Sequence, residues 1–100
     1  MLTPEAKVKK KVKEMLDRMG VYHFSPYQAG MGRAGIPDII GCLDGYFIAI
    51  ECKAGKGTTT ALQERELNRI LNAGGYALVV NEKNINQLQE ITEWIKNKTK

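Results

Sequence analysis

The sequence has few of the residues that zinc-binding and disulfide-linked proteins use. It contains two cysteines, Cys42 and Cys52, and one histidine, His23. These residues cannot complete a paired Cys/His zinc site, and the cysteines fit free thiols in an intracellular compartment. The sequence also lacks a long apolar run and an N-terminal apolar segment of the kind that secretory signals have. We therefore expect a cytoplasmic protein without a membrane partner.

Length and composition indicate one globular domain over residues 1–100, because the sequence contains no repeat, linker or low-complexity tract. There are 15 Lys and Arg residues against 11 Asp and Glu, and the net charge of +4 favours an anionic partner. Much of the positive charge lies in the first segment, at Lys7, Lys9, Lys10, Lys11, Lys13 and Arg18. On its own, this cluster fits the solvated side of a helix equally well.

Hydrophobic periodicity and turn residues predict the element order αβββαβα. The predicted elements are a helix capped by Thr3 and ended by Gly20, strands 21–24, 38–43 and 46–52, a helix from the threonines 58–60 to Gly74, a strand 76–80, and a helix from Asn84. The second helix is predicted to face the core with Leu62, Leu67, Ile70 and Leu71. The last is predicted to bury Ile85, Leu88, Ile91 and Ile95, with Trp94 close to the same face.

The Asp44-Gly45 pair predicts a two-residue hairpin turn, which fixes the pairing of the two strands beside it. Counting outward from the turn places Asp38 opposite Glu51. Carboxylates in such a pair lie on one face, with Cβ atoms roughly 4.5–5.5 Å apart, and they repel each other. Lys53 lies two residues beyond Glu51 and projects to the same face.

A divalent cation would relieve this repulsion, and two carboxylates suit Mg²⁺ or Mn²⁺ better than a soft metal. Such a cation can polarise a phosphodiester and activate its bound water. Lys53 could orient the attacking water or offset charge on the phosphate. The alternative is a surface ion-pair cluster in which Lys53 neutralises the carboxylates without a metal.

Two motifs carry a resemblance to a known family. Gly35-Ile36-Pro37-Asp38 and Ile50-Glu51-Cys52-Lys53 resemble the Pro-Asp and Glu-x-Lys motifs of the PD-(D/E)XK nuclease superfamily. Together with Gly41, Gly45, the stretch 53–57, Thr60 and Gln63, they are similar to the VRR-NUC family (virus-type replication-repair nucleases) over nearly the whole chain. The resemblance implies an α/β, restriction-endonuclease-like fold, with a mixed sheet flanked by helices.

The resemblance also implies a metal-dependent DNA endonuclease in replication, recombination or repair. Stand-alone members resemble Holliday junction resolvases, which are homodimers, and a phage or prophage origin is implied. A noncatalytic nucleic-acid-binding module is the main alternative, and a flap or single-strand nuclease is another. A small-molecule-binding α/β domain would require the carboxylate pair to be accidental.

Carried over to this sequence, the resemblance makes Asp38 and Glu51 metal ligands, with the backbone carbonyl of Cys52 as a third, and Lys53 the catalytic lysine. It adds Glu5, near the start of the first helix, as a further metal-binding and catalytic carboxylate. Glu5 could instead complement the positive end of that helix. Glu14 is a weaker candidate for the same role.

Gln63 has two competing roles, because Thr60 and Gln63 also have the spacing of a capping box. The resemblance favours a catalytic role. The residues predicted to contact nucleic acid are Lys7, Lys10, Lys11, Arg33, Lys56, Tyr27 and Gln28. The stretch 30–35 has the form G-x-G-x-x-G, but it leads into a strand rather than a helix, so we predict no dinucleotide binding.

Overall fold

The helices and strands follow the predicted order αβββαβα. The computed structural model describes residues 2–27 and 33–98. Its elements are helix α1 (Pro4–Arg18), strands β1 (Tyr22–Phe24), β2 (Ile39–Leu43) and β3 (Tyr46–Cys52), helix α2 (Ala61–Asn72), strand β4 (Tyr76–Val80) and helix α3 (Gln87–Lys98). Within these described ranges, no helix combines the length and the apolar character that crossing a membrane requires.

The four strands form one mixed sheet in the order β1-β2-β3-β4, with β1, β2 and β3 antiparallel and β4 parallel to β3. The β2–β3 hairpin turns at Asp44 and Gly45, whose φ angles are 50° and 88°. Two consecutive left-handed residues match the twist of the strands, and aspartate and glycine adopt this conformation readily. The register runs from Leu43 opposite Tyr46 to Ile39 opposite Ile50, as predicted.

The main core lies on one face of the sheet, against α1 and α3. Side chains alternate between faces along each strand, so Ile39 and Leu43 of β2 share this face with Ile48 and Ile50 of β3. The helices contribute the apolar stripes Val8, Val12 and Leu16 from α1 and Leu88 and Ile95 from α3. Helix α2 packs on the other side of the sheet, against β4, and leaves Tyr22, Phe24 and Cys42 of β1 and β2 exposed there.

The prediction for α2 is confirmed at Leu67, which is buried, and at Ile70, which is partly buried, but it is wrong at the other two positions. The buried residues of the helix are Glu66 and Leu67, whereas Leu62 and Leu71 are almost half exposed. The carboxylate of Glu66 is buried because two arginines neutralise it: Arg33 Nε lies 2.8 Å from Oε1 and Arg69 Nη1 lies 3.3 Å from Oε2. Hydrophobic periodicity could not predict that a glutamate occupies an inward position.

Helix α3 also differs from the prediction at its start. It begins at Gln87 rather than Asn84, because the backbone N–H of Lys83 and that of Asn84 donate to Asn81 Oδ1 in a local turn. Trp94 is 57% exposed and packs edge-on against Tyr76, with Lys98 over its ring. It therefore lies at the border of the core rather than within it.

Candidate active site

Two carboxylates meet at the open end of the hairpin, opposite its turn. Asp38 directly precedes β2, and Glu51 is the penultimate residue of β3. The backbone N–H of Asp38 donates to Glu51 Oε1 at 3.2 Å, and the backbone N–H of Cys52 donates to Asp38 Oδ2 at 2.8 Å. The strand backbones therefore hold both side chains in place, as the hairpin register predicts.

Three further charged groups surround this pair. Lys53 Nζ lies 3.7 Å from Glu51 Oε2 and 3.9 Å from Glu5 Oε1. Lys9 Nζ lies 3.9 Å from Asp38 Oδ1. With all five groups ionised, three carboxylates face two ammonium groups, so the cluster lacks one positive charge.

Glu51 is a weaker acid than an ordinary glutamate. Its pKa is raised to about 7, first by burial and then by the hydrogen bond and the negative charge of Asp38. Lys53 lowers the pKa of Glu51 but does not offset these effects. A group in this state gains from a bound cation, because the cation favours the ionised carboxylate.

Cys52 presents its backbone, rather than its thiol, to the site. Its side chain is fully buried in the core, and burial, followed by the charges of Asp38 and Glu51, raises the pKa of the thiol to about 12. The thiol therefore stays protonated and unreactive. Because the N–H and C=O of a strand residue point to the same side, the Cys52 carbonyl lies on the strand side that faces Asp38.

The donor set fits a hard divalent cation. Across residues 2–27 and 33–98, no group of three His, Cys, Asp or Glu side chains is arranged to hold a metal ion. Mg²⁺ does not require such a group, because it is usually bound by one or two carboxylates and completes its octahedron with water and substrate phosphate. Asp38, Glu51 and the Cys52 carbonyl supply oxygen donors of this kind.

Glu5 lies in the cluster, whereas Glu14 lies farther along the same helix. Glu5 is in the first turn of α1, where it complements the helix dipole, and its carboxylate also contacts Lys53. Its role as a metal ligand stays a prediction. Glu14 follows nine residues later, roughly 13 Å along the helix axis. The geometry therefore brings Glu5 to Lys53 and leaves Glu14 away from it.

Gln63 forms the capping box. Its Oε1 accepts from the backbone N–H of Thr60 at 2.9 Å, and its own N–H donates to Thr60 Oγ1 at 3.2 Å. The cap uses the amide oxygen and leaves the side-chain N–H donors outside it. The first turn of α2 also packs tightly on Gly35, where an added Cβ would lie 2.5 Å from the Leu62 carbonyl oxygen. This contact places Gln63 beside the loop that carries Asp38.

The residues predicted to contact nucleic acid are distributed over several surfaces. Those on α1 and in the loop after β3 are exposed: Lys7, Lys10, Lys11 and Lys56. Tyr27 is 91% exposed, and Gln28 lies outside the described residues. Arg33 is mostly exposed but donates to buried Glu66. The sequence-based interpretation assigned no role to Glu66, Arg69 or the contact of Lys9 with Asp38.

Comparison with known proteins gives one informative match. No protein-family model matches the chain, and no curated protein matches it. A solved structure titled "VRR_NUC domain" superposes with a TM-score of 0.72 at 26% sequence identity. The match covers 89% of this chain and 97% of that chain. It confirms the predicted fold class, with a mixed four-stranded sheet flanked by helices.

Proposed function

We propose, from the premise that this chain belongs to the VRR-NUC family, that it is a divalent-metal-dependent endonuclease that hydrolyses phosphodiester bonds in DNA. The family match carries the coarser conclusion, a nuclease-type domain. The finer proposal depends on one observation: the buried Glu51 carboxylate lies against Asp38 and has its pKa raised to about 7. A bound cation would favour the ionised form of Glu51 and so offset the cost of burying its charge beside Asp38.

Each residue of the site has a distinct part in this proposal. Asp38, Glu51 and the Cys52 carbonyl would hold Mg²⁺ or Mn²⁺, which when bound polarises a phosphodiester and makes its water more acidic. Lys53, only 13% exposed in its side chain, is held between Glu51 and Glu5. Its ammonium is placed to stabilise negative charge that develops on the phosphate. Glu5 is a further carboxylate of the same site.

DNA binding is proposed to use the exposed lysines of α1 and Lys56. Lysines at such positions neutralise backbone phosphates without reading base sequence, and their contribution falls as salt rises. A domain of this size has little surface for a base code, so we propose selectivity for DNA structure, with four-way junctions as the leading substrate. An origin in phage replication or repair stays a prediction.

A symmetric homodimer is the proposed assembly, because a junction resolvase needs two active sites for opposed strands. The edge strand β1 carries an exposed aromatic pair, Tyr22 and Phe24, with ring centroids 6.2 Å apart. Exposed aromatic pairs on a sheet edge favour protein contacts. Sedimentation of the wild type should give twice the chain mass, and Tyr22→Ser should shift the protein toward the single-chain mass.

The decisive experiment is cleavage of labelled four-way junctions, flaps, duplexes and single strands with Mg²⁺ or Mn²⁺. Asp38→Asn should abolish cleavage. Asp44→Asn is the matched control, because it removes the same charge at the turn end of the hairpin, and asparagine tolerates the left-handed conformation found there. Symmetric nicking of junctions supports the resolvase proposal, whereas cleavage of flaps or single strands alone supports a different nuclease. DNA binding without cleavage by the wild type in either metal would favour a noncatalytic module.

A further inference from the structure

A cavity of about 370 Å³ opens between α2 and the face of the sheet that carries Asp38 and Glu51. This volume falls within the usual range for small-ligand sites. The lining combines an apolar floor with a charged rim. The floor includes Ile40, Phe47 and Ile70, and the rim consists of Arg33, Glu66 and Arg69.

The rim carries a net positive charge, and the buried Glu66 fixes the positions of its two arginines. Glu66 is 3% exposed, and its two oxygens contact Arg33 at 2.8 Å and Arg69 at 3.3 Å. Both arginine side chains remain more than half exposed, at 60% and 56%. One buried carboxylate therefore orients two guanidinium groups at the mouth, which leaves one positive charge for an anionic group such as phosphate.

The cavity lies next to the proposed catalytic carboxylates. Pro37 of its lining directly precedes Asp38. Ile40 follows Asp38 by two residues and lies on the same face, about 7 Å along the strand. A strand of DNA with one phosphate at Asp38 and Glu51 can thus bring a neighbouring nucleotide to the cavity mouth.

We propose that this cavity binds an unstacked nucleobase of the DNA, with an adjacent phosphate at Arg33 and Arg69. The inference rests on the proposed function and names the part of the substrate that sets selectivity. Phe47 is 46% exposed, and base–aromatic stacking tolerates any sequence because every base has a π face. A perfect duplex keeps its bases stacked, whereas flaps, junctions and single strands supply an unstacked base at lower cost.

The first test measures DNA binding by fluorescence anisotropy in EDTA, with labelled single-stranded and blunt duplex DNA. Phe47→Ala should weaken single-strand binding about tenfold and leave duplex binding nearly unchanged. Leu71→Ala is the matched control, because it removes a similarly exposed apolar side chain of α2 from outside the cavity. It should leave both affinities unchanged. Equal binding by Phe47→Ala and wild type would overturn the proposal.

The second test uses a flap substrate whose branch point fixes the register, with an abasic nucleotide moved along the strand. Wild-type affinity should fall about tenfold at one position, and Phe47→Ala should show no further loss there. Equal affinity at every position of the abasic nucleotide would contradict the proposal. So would a change from dimer to monomer in Phe47→Ala, which would mean that a second copy fills the cavity. A position effect without cleavage in either metal would refute the proposed nuclease and leave the base site standing.

Discussion

Two buried glutamates, Glu51 and Glu66, differ in how the protein compensates their charge. They are 2% and 3% exposed, respectively. Glu66 on α2 contacts two arginines, whereas Glu51 on β3 has one lysine and a neighbouring carboxylate. The fold therefore completes the surroundings of Glu66 by itself and leaves those of Glu51 incomplete. Under the proposed function, the difference separates a carboxylate that supports structure from one that binds a metal.

Glu51→Gln is expected to have the largest effect. It should reduce cleavage by at least about 100-fold, because it removes a proposed metal ligand. It should also raise the Tm of the metal-free protein at pH 8, because it removes an uncompensated buried charge and keeps the oxygen that accepts from Asp38 N–H. Thermal unfolding with and without metal is the measurement. A lower Tm for Glu51→Gln than for the wild type at pH 8 would show that the fold compensates the charge of Glu51, as it does that of Glu66.

The stability difference should depend on pH with a definite sign. The pKa of Glu51 rises from 4.5 to about 7 on folding, so the stabilisation from its protonated form is complete below pH 4.5 and is lost as pH rises through 7. The Tm advantage of Glu51→Gln should therefore vanish near pH 4. Divalent metal should raise the Tm of the wild type at pH 8 and leave that of Glu51→Gln nearly unchanged.

Lys53→Gln tests the positively charged neighbour of Glu51. We expect about 100-fold slower cleavage with metal binding retained, because Lys53 stabilises charge on the phosphate and is not a ligand. Since Lys53 lowers the pKa of Glu51, metal binding in the variant should require a higher pH. The pH at half-maximal metal-induced Tm shift measures this change. Loss of the metal response at every pH would contradict the assigned role.

Gln63 can serve both the fold and the active site. Its side-chain oxygen accepts a hydrogen bond in the helix cap, whereas its side-chain N–H donors lie outside the cap. If these donors also contact the substrate, Gln63→Ala should cleave about tenfold more slowly than Thr60→Ala. Both variants break the same capping box, so both should lose about 0.5–1 kcal/mol of stability. Single-turnover rates and urea unfolding give the two quantities. Equal rates for the two variants would assign Gln63 to the helix cap alone.

The sequence predicted the carboxylate pair because its geometry is local. Asp44-Gly45 sets the turn, the turn sets the register, and the register brings Asp38 to Glu51. Glu66 was missed because its burial depends on Arg33, which lies 33 residues away, on the other side of the β2–β3 hairpin in the sequence. The helical pattern favoured Leu62 and Leu71 instead, since periodicity carries no information about a distant arginine that neutralises an inward carboxylate.

Glu66→Gln should change the stability in the opposite direction from Glu51→Gln. The amide keeps one acceptor but loses the charge that holds two arginines, so we expect a loss of about 1 kcal/mol. The arginines can return to water, which keeps the loss modest. In a domain of this size the Tm should fall by about 4–8 °C. Glu93→Gln, at an exposed position on α3, is the control and should change the Tm little. A rise in Tm for Glu66→Gln would show that two arginines do not compensate this carboxylate, and the distinction between the two glutamates would fail.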